Sequence, residues 1–416
     1  MKCRHCGAPL TLPLIDLGSA PPSNAYLTSA TVNGPETWYP LRVLVCTSCW
    51  LVQTEDHAGR EELFASDYAY FSSTSTSWLA HSKVYVAAMV ERFALGTNSM
   101  VVEVAANDGY LLQYVKERNI PCYGIEPTAS TAAAARAKGI EIDERFFGVQ
   151  LARELAAAGR QADLTAANNV LAHVPDINDF VSGFAALLKP AGVSTFEFPH
   201  LLKLVQENQF DTIYHEHYSY LSLVAVNRIF AANGLQCFDV EELPTHGGSL
   251  RVYAQRAGSG ARDVTDRLTA LLAREVEAGM ETEAFYGGFQ KRAEKVKDDL
   301  LTFLIDAKSR GLKVGAYGAA AKGNTLFNFA GVRPDLVPYV VDRAAAKQGK
   351  FMPGSRIPIV AEEHLKADRP DLIVILPWNI RAEVMEQLAY VREWGTQFVT
   401  AIPELKVTPS AAPRPL

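Results

Sequence analysis

The sequence Val-Val-Glu-Val-Ala-Ala-Asn-Asp-Gly (residues 101–109) opens the stretch that decides the fold, and Cys-Tyr-Gly-Ile-Glu-Pro (122–127) closes it. The apolar run 100–104 predicts a strand buried on both faces, as in a parallel sheet. The small residues 105–109 then allow a ligand to approach the backbone before a helix begins. Glu126 follows about 20 residues after this turn, where such folds place an acid on ribose hydroxyls. We therefore expect a nucleoside ligand here.

The glycine pattern of this turn argues against a dinucleotide, because G-x-G-x-x-G is absent and only Gly109 is present. Glu103 would repel a phosphate but attract an ammonium group. An acid followed by a small-residue loop ending in Gly resembles the motif of S-adenosylmethionine methyltransferases, with Ala105 at their usual first glycine. An ordinary strand-turn-helix is the alternative for this stretch alone. The expected methyl-donor residues are Glu103, Ala105, Asn107, Asp108, Gly109, Glu126, Pro127, Asn168 and Asn169.

The alternation of strands and helices between residues 100 and 256 predicts one doubly wound α/β sheet. The last two strands are joined by a Pro-Thr-His-Gly-Gly-Ser turn rather than a helix, so they should be antiparallel. That final hairpin is typical of the class I methyltransferase version of the sheet. The predicted strands are 100–105, 122–126, 139–143, 163–168, 192–198, 236–240 and 250–255.

Four of the six cysteines form two pairs, Cys3-x-x-Cys6 and Cys46-x-x-Cys49. Two such pairs fit tetrahedral zinc, and a four-cysteine shell leaves no open position for catalysis. The alternative is a disulfide, which the reducing compartment inferred below argues against. We therefore expect one structural Zn²⁺.

The composition is that of an ordinary globular protein, with 48% hydrophobic and 21% charged residues among 416. This length suffices for two or three domains. A net charge of −6 gives no nucleic-acid footprint. No apolar run approaches the roughly 18 residues of a membrane span. The N-terminus lacks an apolar signal region, so a cytoplasmic protein is expected. We expect a monomer with neither nucleic-acid nor membrane partners.

Polar residues cluster where the predicted strands end, the edge at which such sheets bind ligands. Five of the nine histidines lie between residues 173 and 246. The segment Tyr214-His-Glu-His-Tyr218 lacks the H-E-x-x-H spacing of a metal site, so we expect acid-base chemistry from it. The turn of the final hairpin adds His246 and Gly247, followed by Arg251.

A hydroxyl-rich run, residues 67–77, precedes a helix expected to begin near Trp78. Its Ser and Thr side chains either cap that helix or form a polar wall for a hydroxylated ligand. In the second case Tyr70 points into the site and Ser72 lies beside it.

A second α/β pattern begins at residue 313, after two amphipathic helices expected between 262 and 309 with a break near Gly287-Gly288. It reads strand, small-residue turn, helix, and a strand ending in Asp342, which predicts a Rossmann-like fold. Because an anion is favoured at a helix N-terminus, Lys322 or Asn324 is expected near phosphates. The expected domains are 1–66 for zinc, 67–309 for the methyl donor and 310–416 for the nucleotide sugar.

Taken together, the motifs resemble one family, the zinc-containing C-methyltransferases of nucleotide-linked 4-keto-6-deoxysugars. The likeness covers nearly the whole chain. It is carried by the paired cysteines and by Leu-Gly-Ser-Ala-Pro-Pro-Ser-Asn, Glu-Val-Ala-Ala-Asn-Asp-Gly, Asn-Val-Leu-Ala-His, Phe-Asp-x-Ile-Tyr-x-Glu-His, His-Gly-Gly-Ser-Leu-Arg and Tyr-Gly-Ala-x-Ala-Lys.

The resemblance implies S-adenosylmethionine bound in the middle domain and a nucleotide diphosphate sugar, TDP-linked and methylated at C-3, in the cleft facing the last domain. The family's Tyr-x-Glu-His segment falls on Tyr214, Glu216 and His217, with His217 as base. The other carried-over residues are Asn169, His173 and Tyr70.

Two readings from other classes remain open on the sequence. A nicotinamide-dependent nucleotide-sugar oxidoreductase would use the 313–342 turn, although Gly315, Gly318 and Gly323 miss the dinucleotide spacing. A non-catalytic zinc scaffold would need only the cysteines and would leave the His and Tyr segments unexplained.

Overall fold

The computed structural model describes residues 1–55, 57 and 71–409, and three sheets organise them. The strands are β1 Leu12–Ala20, β2 Tyr39–Val45, β3 Val52–Thr54, β4 Val101–Val104, β5 Cys122–Ile125, β6 Glu141–Asp143, β7 Ala162–Asn168, β8 Leu188–Pro199, β9 Ser219–Tyr220, β10 Leu235–Leu243, β11 Ser249–Arg256, β12 Val314–Tyr317, β13 Val340–Val341, β14 Ile359–Val360, β15 Leu372–Ile375, β16 Gln397–Thr400 and β17 Lys406–Thr408. The α-helices are α1 Thr76–Arg92, α2 Leu112–Lys116, α3 Ala129–Ala137, α4 Val149–Ala157, α5 Ile177–Leu187, α6 Leu201–Gln206, α7 Leu223–Ala232, α8 Asp266–Glu277, α9 Glu283–Tyr286, α10 Phe289–Ser309, α11 Ala321–Ala330, α12 Glu363–Asp368 and α13 Arg381–Gln387.

The central sheet has the strand order β10-β11-β8-β7-β4-β5-β6. Strands β4 to β8 are parallel, whereas β11 runs antiparallel to both β8 and β10. All four residues of β4 are buried, as its apolar run predicts. The predicted class I methyltransferase sheet with an antiparallel final hairpin is therefore confirmed.

The N-terminal sheet is antiparallel, in the order β1-β2-β3-β9. Its last strand, β9, comes from the middle of the chain: Val52 and Gln53 pair with Tyr220 and Ser219. The predictions from the cysteine pairs did not include this pairing, because a strand of two residues leaves no periodic pattern.

The C-terminal sheet has the order β14-β13-β12-β15-β16-β17 and is parallel except for β17. This agrees with the Rossmann-like pattern expected after residue 313. The helical bridge before it breaks where predicted: α10 begins after Gly288, which has a left-handed φ of 80°. The first bridging helix, α8, is shorter than expected because the chain turns between residues 278 and 282.

One apolar core joins the first and third sheets. Leu14 and Val43 belong to the same cluster of buried side chains as Phe327 and Val374, and β1 contacts both α10 and α11. The N-terminal sheet is therefore packed against the elements of the C-terminal sheet. In the part of the chain that the structure describes, we find no helix with the length and apolar character needed to cross a bilayer.

Candidate active site

A cavity of about 500 Å³ opens at the carboxyl edge of the central sheet, within the range of ligand pockets. Its wall includes residues that follow β4, β5, β7 and β8, which is the edge where such sheets bind ligands. The turn before α11 contributes Ala320, Ala321 and Lys322, so the central and C-terminal sheets face one space.

The turn after β4 is built from alternating left-handed residues. Ala105, Asn107 and Gly109 have φ values of 59°, 49° and 76°, a conformation that favours glycine or asparagine. A Cβ on Gly109 would collide with the side chain of Ile140. Position 109 therefore requires glycine, while Ala105 and Asn107 line the cavity.

Glu126 ties this turn to the end of β5. Its carboxylate accepts hydrogen bonds from the amides of Asn107 and Thr128, both at 2.9 Å. The side chain is only 5% exposed but lies in the cavity wall. Two backbone donors fix its orientation and leave lone pairs for a hydroxylated ligand.

The structure brings most of the predicted donor residues to the cavity wall: Ala105, Asn107, Glu126, Pro127, Asn168 and Asn169. Three others lie behind it. Glu103 is completely buried, and burial raises its pKa well above the usual value. Asp108 accepts a hydrogen bond from the Ser73 amide and pairs with a lysine, and Gly109 shapes the turn.

The wall of the cavity fits a polar nucleoside-bearing donor. Asn168 Oδ1 and Asn169 Oδ1 are buried and have no hydrogen-bond partner within the described residues. Buried polar atoms are normally paired, so these two oxygens call for a ligand or water. Together with Glu126, they would hold S-adenosylmethionine.

The Tyr-x-Glu-His segment lies in the wall of the same cavity, opposite a histidine that follows β7. The ring centroids of His217 and His173 are 4.6 Å apart, and the ring centroid of Tyr214 lies 4.1 Å from that of His217. Nδ1 of His217 donates to the Thr212 carbonyl at 3.2 Å, and Nδ1 of His173 donates to the Glu216 carbonyl at 2.9 Å. These bonds place each proton on Nδ1 and leave Nε2 as the acceptor.

Loss of hydration lowers the pKa of both imidazoles. The pKa of His173 falls to about 4 and that of His217 well below its usual value, with the charge of Lys322 adding to the effect on His217. Both rings are therefore neutral at pH 7. The Glu216 carboxyl accepts from the Asn24 amide at 2.9 and 3.0 Å, and burial raises its pKa to about 7.

Three of the predicted substrate residues lie in the wall: Ser72, His246 and Lys322. Three do not. Arg251 forms internal ion pairs with Glu197 and Glu241, and the Asn324 amide donates to the Ser23 carbonyl. The Gly247 carbonyl accepts from Gln209, which fixes the hairpin turn.

The hydroxyl-rich run divides between its two predicted roles. Ser75 caps α1 by accepting from the Trp78 amide at 3.2 Å, whereas Ser72 faces the cavity. Tyr70, predicted to point into the site, lies outside the described residues, as does the expected domain boundary at 66/67.

The sequence analysis missed Asn24, Trp78 and Lys347, which also line the cavity. Asn24 follows the Pro-Pro loop, and its neighbour Tyr26 donates to the Ala319 carbonyl at 2.6 Å. Lys347 donates to the same carbonyl at 2.8 Å. A polar residue after a proline-rich loop, and a lysine shortly after the strand-ending Asp342, were the signals available.

The four paired cysteines converge as predicted. Their sulfur atoms all lie within 4.8 Å of one another, and the Cys3–Cys49 and Cys6–Cys46 separations are both 3.5 Å. These distances suit four thiolates around one Zn²⁺. The cluster lies outside the cavity lining, as a structural site should.

Comparison with known families covers nearly the whole chain. Residues 3–64 match a zinc-binding domain, residues 78–240 a methyltransferase domain, and residues 244–403 the C-terminal domain of C-methyltransferases. The C-methyltransferase NovU of Streptomyces niveus is 33% identical over 98% of this chain and 96% of its own length.

Solved structures resemble less than half of the chain. Magnesium protoporphyrin IX methyltransferase (ChlM) from Synechocystis PCC 6803, with bound SAH, is 16% identical over 43% of this chain and 83% of its own, with a TM-score of 0.35. The PH0226 protein from Pyrococcus horikoshii OT3 is 12% identical over 45% and 94%, with a TM-score of 0.38.

The central sheet, the cavity at its carboxyl edge and the cysteine cluster define an S-adenosylmethionine-dependent methyltransferase with a zinc-binding domain. The chain belongs to the zinc-containing C-methyltransferase family.

Proposed function

We propose that this C-methyltransferase acts on a nucleotide-linked 4-keto-6-deoxysugar, TDP-linked, and methylates C-3 beside the ketone. One observation carries the proposal: Ala105 and Asn107 of the donor turn and the neutral imidazole of His217 line the same cavity. Forming a bond to carbon requires a carbon nucleophile, and the carbon beside a ketone becomes one when a base removes its proton.

His217 is the proposed base. Its proton sits on Nδ1, so Nε2 takes the C–H proton while the electron pair moves towards the ketone oxygen as an enolate. Tyr214 lies beside His217 and is the proposed donor to that oxygen, where charge develops. The one proton of the neutral His173 ring is held by the Glu216 carbonyl, so His173 is proposed to support His217 rather than to donate. Glu216 and Tyr70 are proposed as further catalytic residues. Bound S-adenosylmethionine supplies the electrophilic methyl group that the enolate carbon attacks.

Ser72, His246 and Lys322 are proposed to hold the nucleotide sugar, with the Lys322 ammonium near the diphosphate. Lys322 lies in the first turn of α11, where an anion is favoured. We propose that residues 1–66 stabilise the fold, 67–309 bind the donor and 310–416 grip the nucleotide sugar, all within a monomer. The family membership favours this activity over the nicotinamide-dependent oxidoreductase.

The substrate is tested with labelled S-adenosylmethionine and a panel of TDP-, GDP- and CDP-linked 4-keto sugars, read by mass. We expect a gain of one methyl group on the TDP sugar, at C-3. Methylation of another member would change the nucleotide assignment. No methylation of any member would contradict the proposed substrate class.

The base is tested by separating proton removal from methyl transfer. In deuterated water, with substrate and S-adenosylhomocysteine, the wild type should exchange the C–H proton, and His217→Ala should exchange it roughly 10²–10⁴ times more slowly. Donor affinity should hold. His364→Ala is the matched control, because that ring packs edge-to-face against Tyr339 outside the cavity. Wild-type exchange in His217→Ala would move the base to Tyr214 or His173.

A further inference from the structure

Asp211 is a completely buried carboxylate that the proposed mechanism does not use. It lies near the start of residues 210–221, called the catalytic segment below, which contain the Phe-Asp-x-Ile-Tyr-x-Glu-His motif. Its Oδ2 accepts a hydrogen bond from the indole Nε1 of Trp378 at 2.8 Å. Its Oδ1 has no hydrogen-bond partner within the described residues. A buried carboxylate in this state is costly unless a nearby positive charge compensates it.

The compensating charge is Lys322. Its Nζ lies 4.7 Å above the ring of Trp378, the same indole that Asp211 holds by its N–H. The ammonium also donates to Asn379 Oδ1 at 2.7 Å and faces the cavity. The indole of Trp378 thus contacts both groups, the carboxylate through its N–H and the ammonium through its ring face.

The electrostatics of the pair agree with this geometry. Burial lowers the pKa of Lys322, and the charge of Asp211 opposes that shift. Burial raises the pKa of Asp211 to about 6, and Lys322 opposes this in turn. Each group therefore favours the charged form of the other.

Other ionisable groups also face Lys322. His217 from the catalytic segment and His246 from the hairpin turn both have their pKa lowered, first by burial and to a smaller extent by the charge of Lys322. Both imidazoles are neutral at pH 7, so they do not compete with Asp211 for this role. Lys347 lines the same cavity but pairs with Asp342 at 3.6 Å.

We propose that Asp211 is a positioning residue that, together with Trp378, holds Lys322 as a fixed ammonium group for the substrate diphosphate. This inference rests on the proposed function, because it takes a nucleoside diphosphate as the group that Lys322 meets. The catalytic segment then carries the base, His217, and also, through Asp211, the charge that binds the substrate.

The test measures binding of TDP and of S-adenosylhomocysteine by calorimetry between pH 7 and pH 9, where the terminal phosphate (pKa about 6) is ionised. The wild type should bind TDP with constant affinity across this range. Asp211→Asn keeps an acceptor for Trp378 but removes the charge, so Lys322 should lose its proton at lower pH. The affinity of the Asp211→Asn variant for TDP should therefore fall about tenfold between pH 7 and pH 9, the scale of one lost charge-assisted hydrogen bond.

Three controls separate this role from a structural one. S-adenosylhomocysteine affinity should stay constant in all variants. Asp335→Asn, an exposed carboxylate paired with Lys308, should behave as the wild type. In Lys322→Met, TDP binding should be weak at every pH, and adding Asp211→Asn should change nothing further. Trp378→Phe removes the indole N–H but keeps the charge of Asp211, so its TDP affinity should be lower than that of the wild type at both pH values. This variant substitutes for Asp211→Asn if that one does not fold.

The outcomes distinguish the two proposals. A wild type that binds TDP, with Asp211→Asn showing the same affinity at both pH values, overturns the role of Asp211 alone. A wild type that binds S-adenosylhomocysteine but no nucleoside diphosphate, tested as TDP, GDP and CDP, overturns the proposed function and the inference with it.

Discussion

His217 and His173 owe their protonation state to burial rather than to an ion pair. Each uses Nδ1 to donate to a backbone carbonyl, at 3.2 and 2.9 Å, and the loss of hydration disfavours the imidazolium. A carboxylate partner would raise the pKa and keep the ring protonated near neutral pH. A carbonyl partner fixes the tautomer with much less effect on the charge, so the rings are available as neutral groups.

The pH dependence of activity follows from these pKa values. Because the pKa of His217 is lowered, its neutral form persists below the usual value of about 6.5. The acid limb of kcat/KM should therefore have its midpoint below pH 6.5, measured by initial rates from pH 5 to pH 9. A midpoint near 7 that disappears in Glu216→Gln would assign the limb to Glu216, whose pKa is about 7, and would contradict the prediction.

At the scale of elements, the turn after β4 and the end of β5 act as one unit. Glu126 joins them through two backbone amides, so the same carboxylate shapes the turn and faces the cavity. Removing this carboxylate should therefore disturb the turn and also take away a polar group that faces the cavity.

Glu126→Ala should weaken binding of S-adenosylmethionine by about 1.5–3 kcal/mol, the scale for hydrogen bonds to a charged group. Calorimetry with S-adenosylmethionine measures this directly. Glu141→Ala is the control, because Glu141 lies on the edge strand β6, is exposed and pairs with Arg160. This variant should bind S-adenosylmethionine with the affinity of the wild type. Unchanged affinity in Glu126→Ala would remove Glu126 from the donor site.

The regular elements could be read from the sequence because their signals are local. The apolar run before Ala105 predicted β4, and the turn at residues 244–249 predicted the final hairpin. The strand-end rule also led to His173 and His217. The bond between Asn24 and Glu216 joins residues 192 positions apart, and nothing near Asn24 in the sequence specifies its partner. Arg251 does not reach the cavity wall, because it pairs with Glu197 and Glu241, its cross-strand neighbours on β8 and β10. The pairing of these strands is not specified by the residues around Arg251.

At the scale of the whole molecule, the N-terminal part contributes Asn24 to the cavity wall and holds the neighbouring elements in place. The Asn24 amide reaches Glu216, the Ser23 carbonyl accepts from Asn324, and Tyr26 donates to the Ala319 carbonyl. The loop at residues 21–26 therefore spans the catalytic segment and the C-terminal sheet. Its placement depends on the sheet that the cysteine cluster stabilises.

Cys46→Ser should reduce the zinc content to well below one ion per chain and lower the yield of folded protein, because metal binding is coupled to folding in such sites. Elemental analysis and thermal unfolding of the purified protein measure both. Cys122→Ser, outside the cluster, should retain zinc. Metal-free wild-type protein, or a disulfide among the four cysteines, would contradict the structural zinc site.

The pairing of β3 with β9 limits how this protein can be divided. Residues 1–55 produced alone would leave the edge of Val52 and Gln53 without Tyr220 and Ser219, and an unpaired edge promotes aggregation. Conversely, a chain lacking those residues would lose the strand that holds the end of the catalytic segment. A functional chimera between two such enzymes would therefore have to exchange the N-terminal residues and residues 210–221 together.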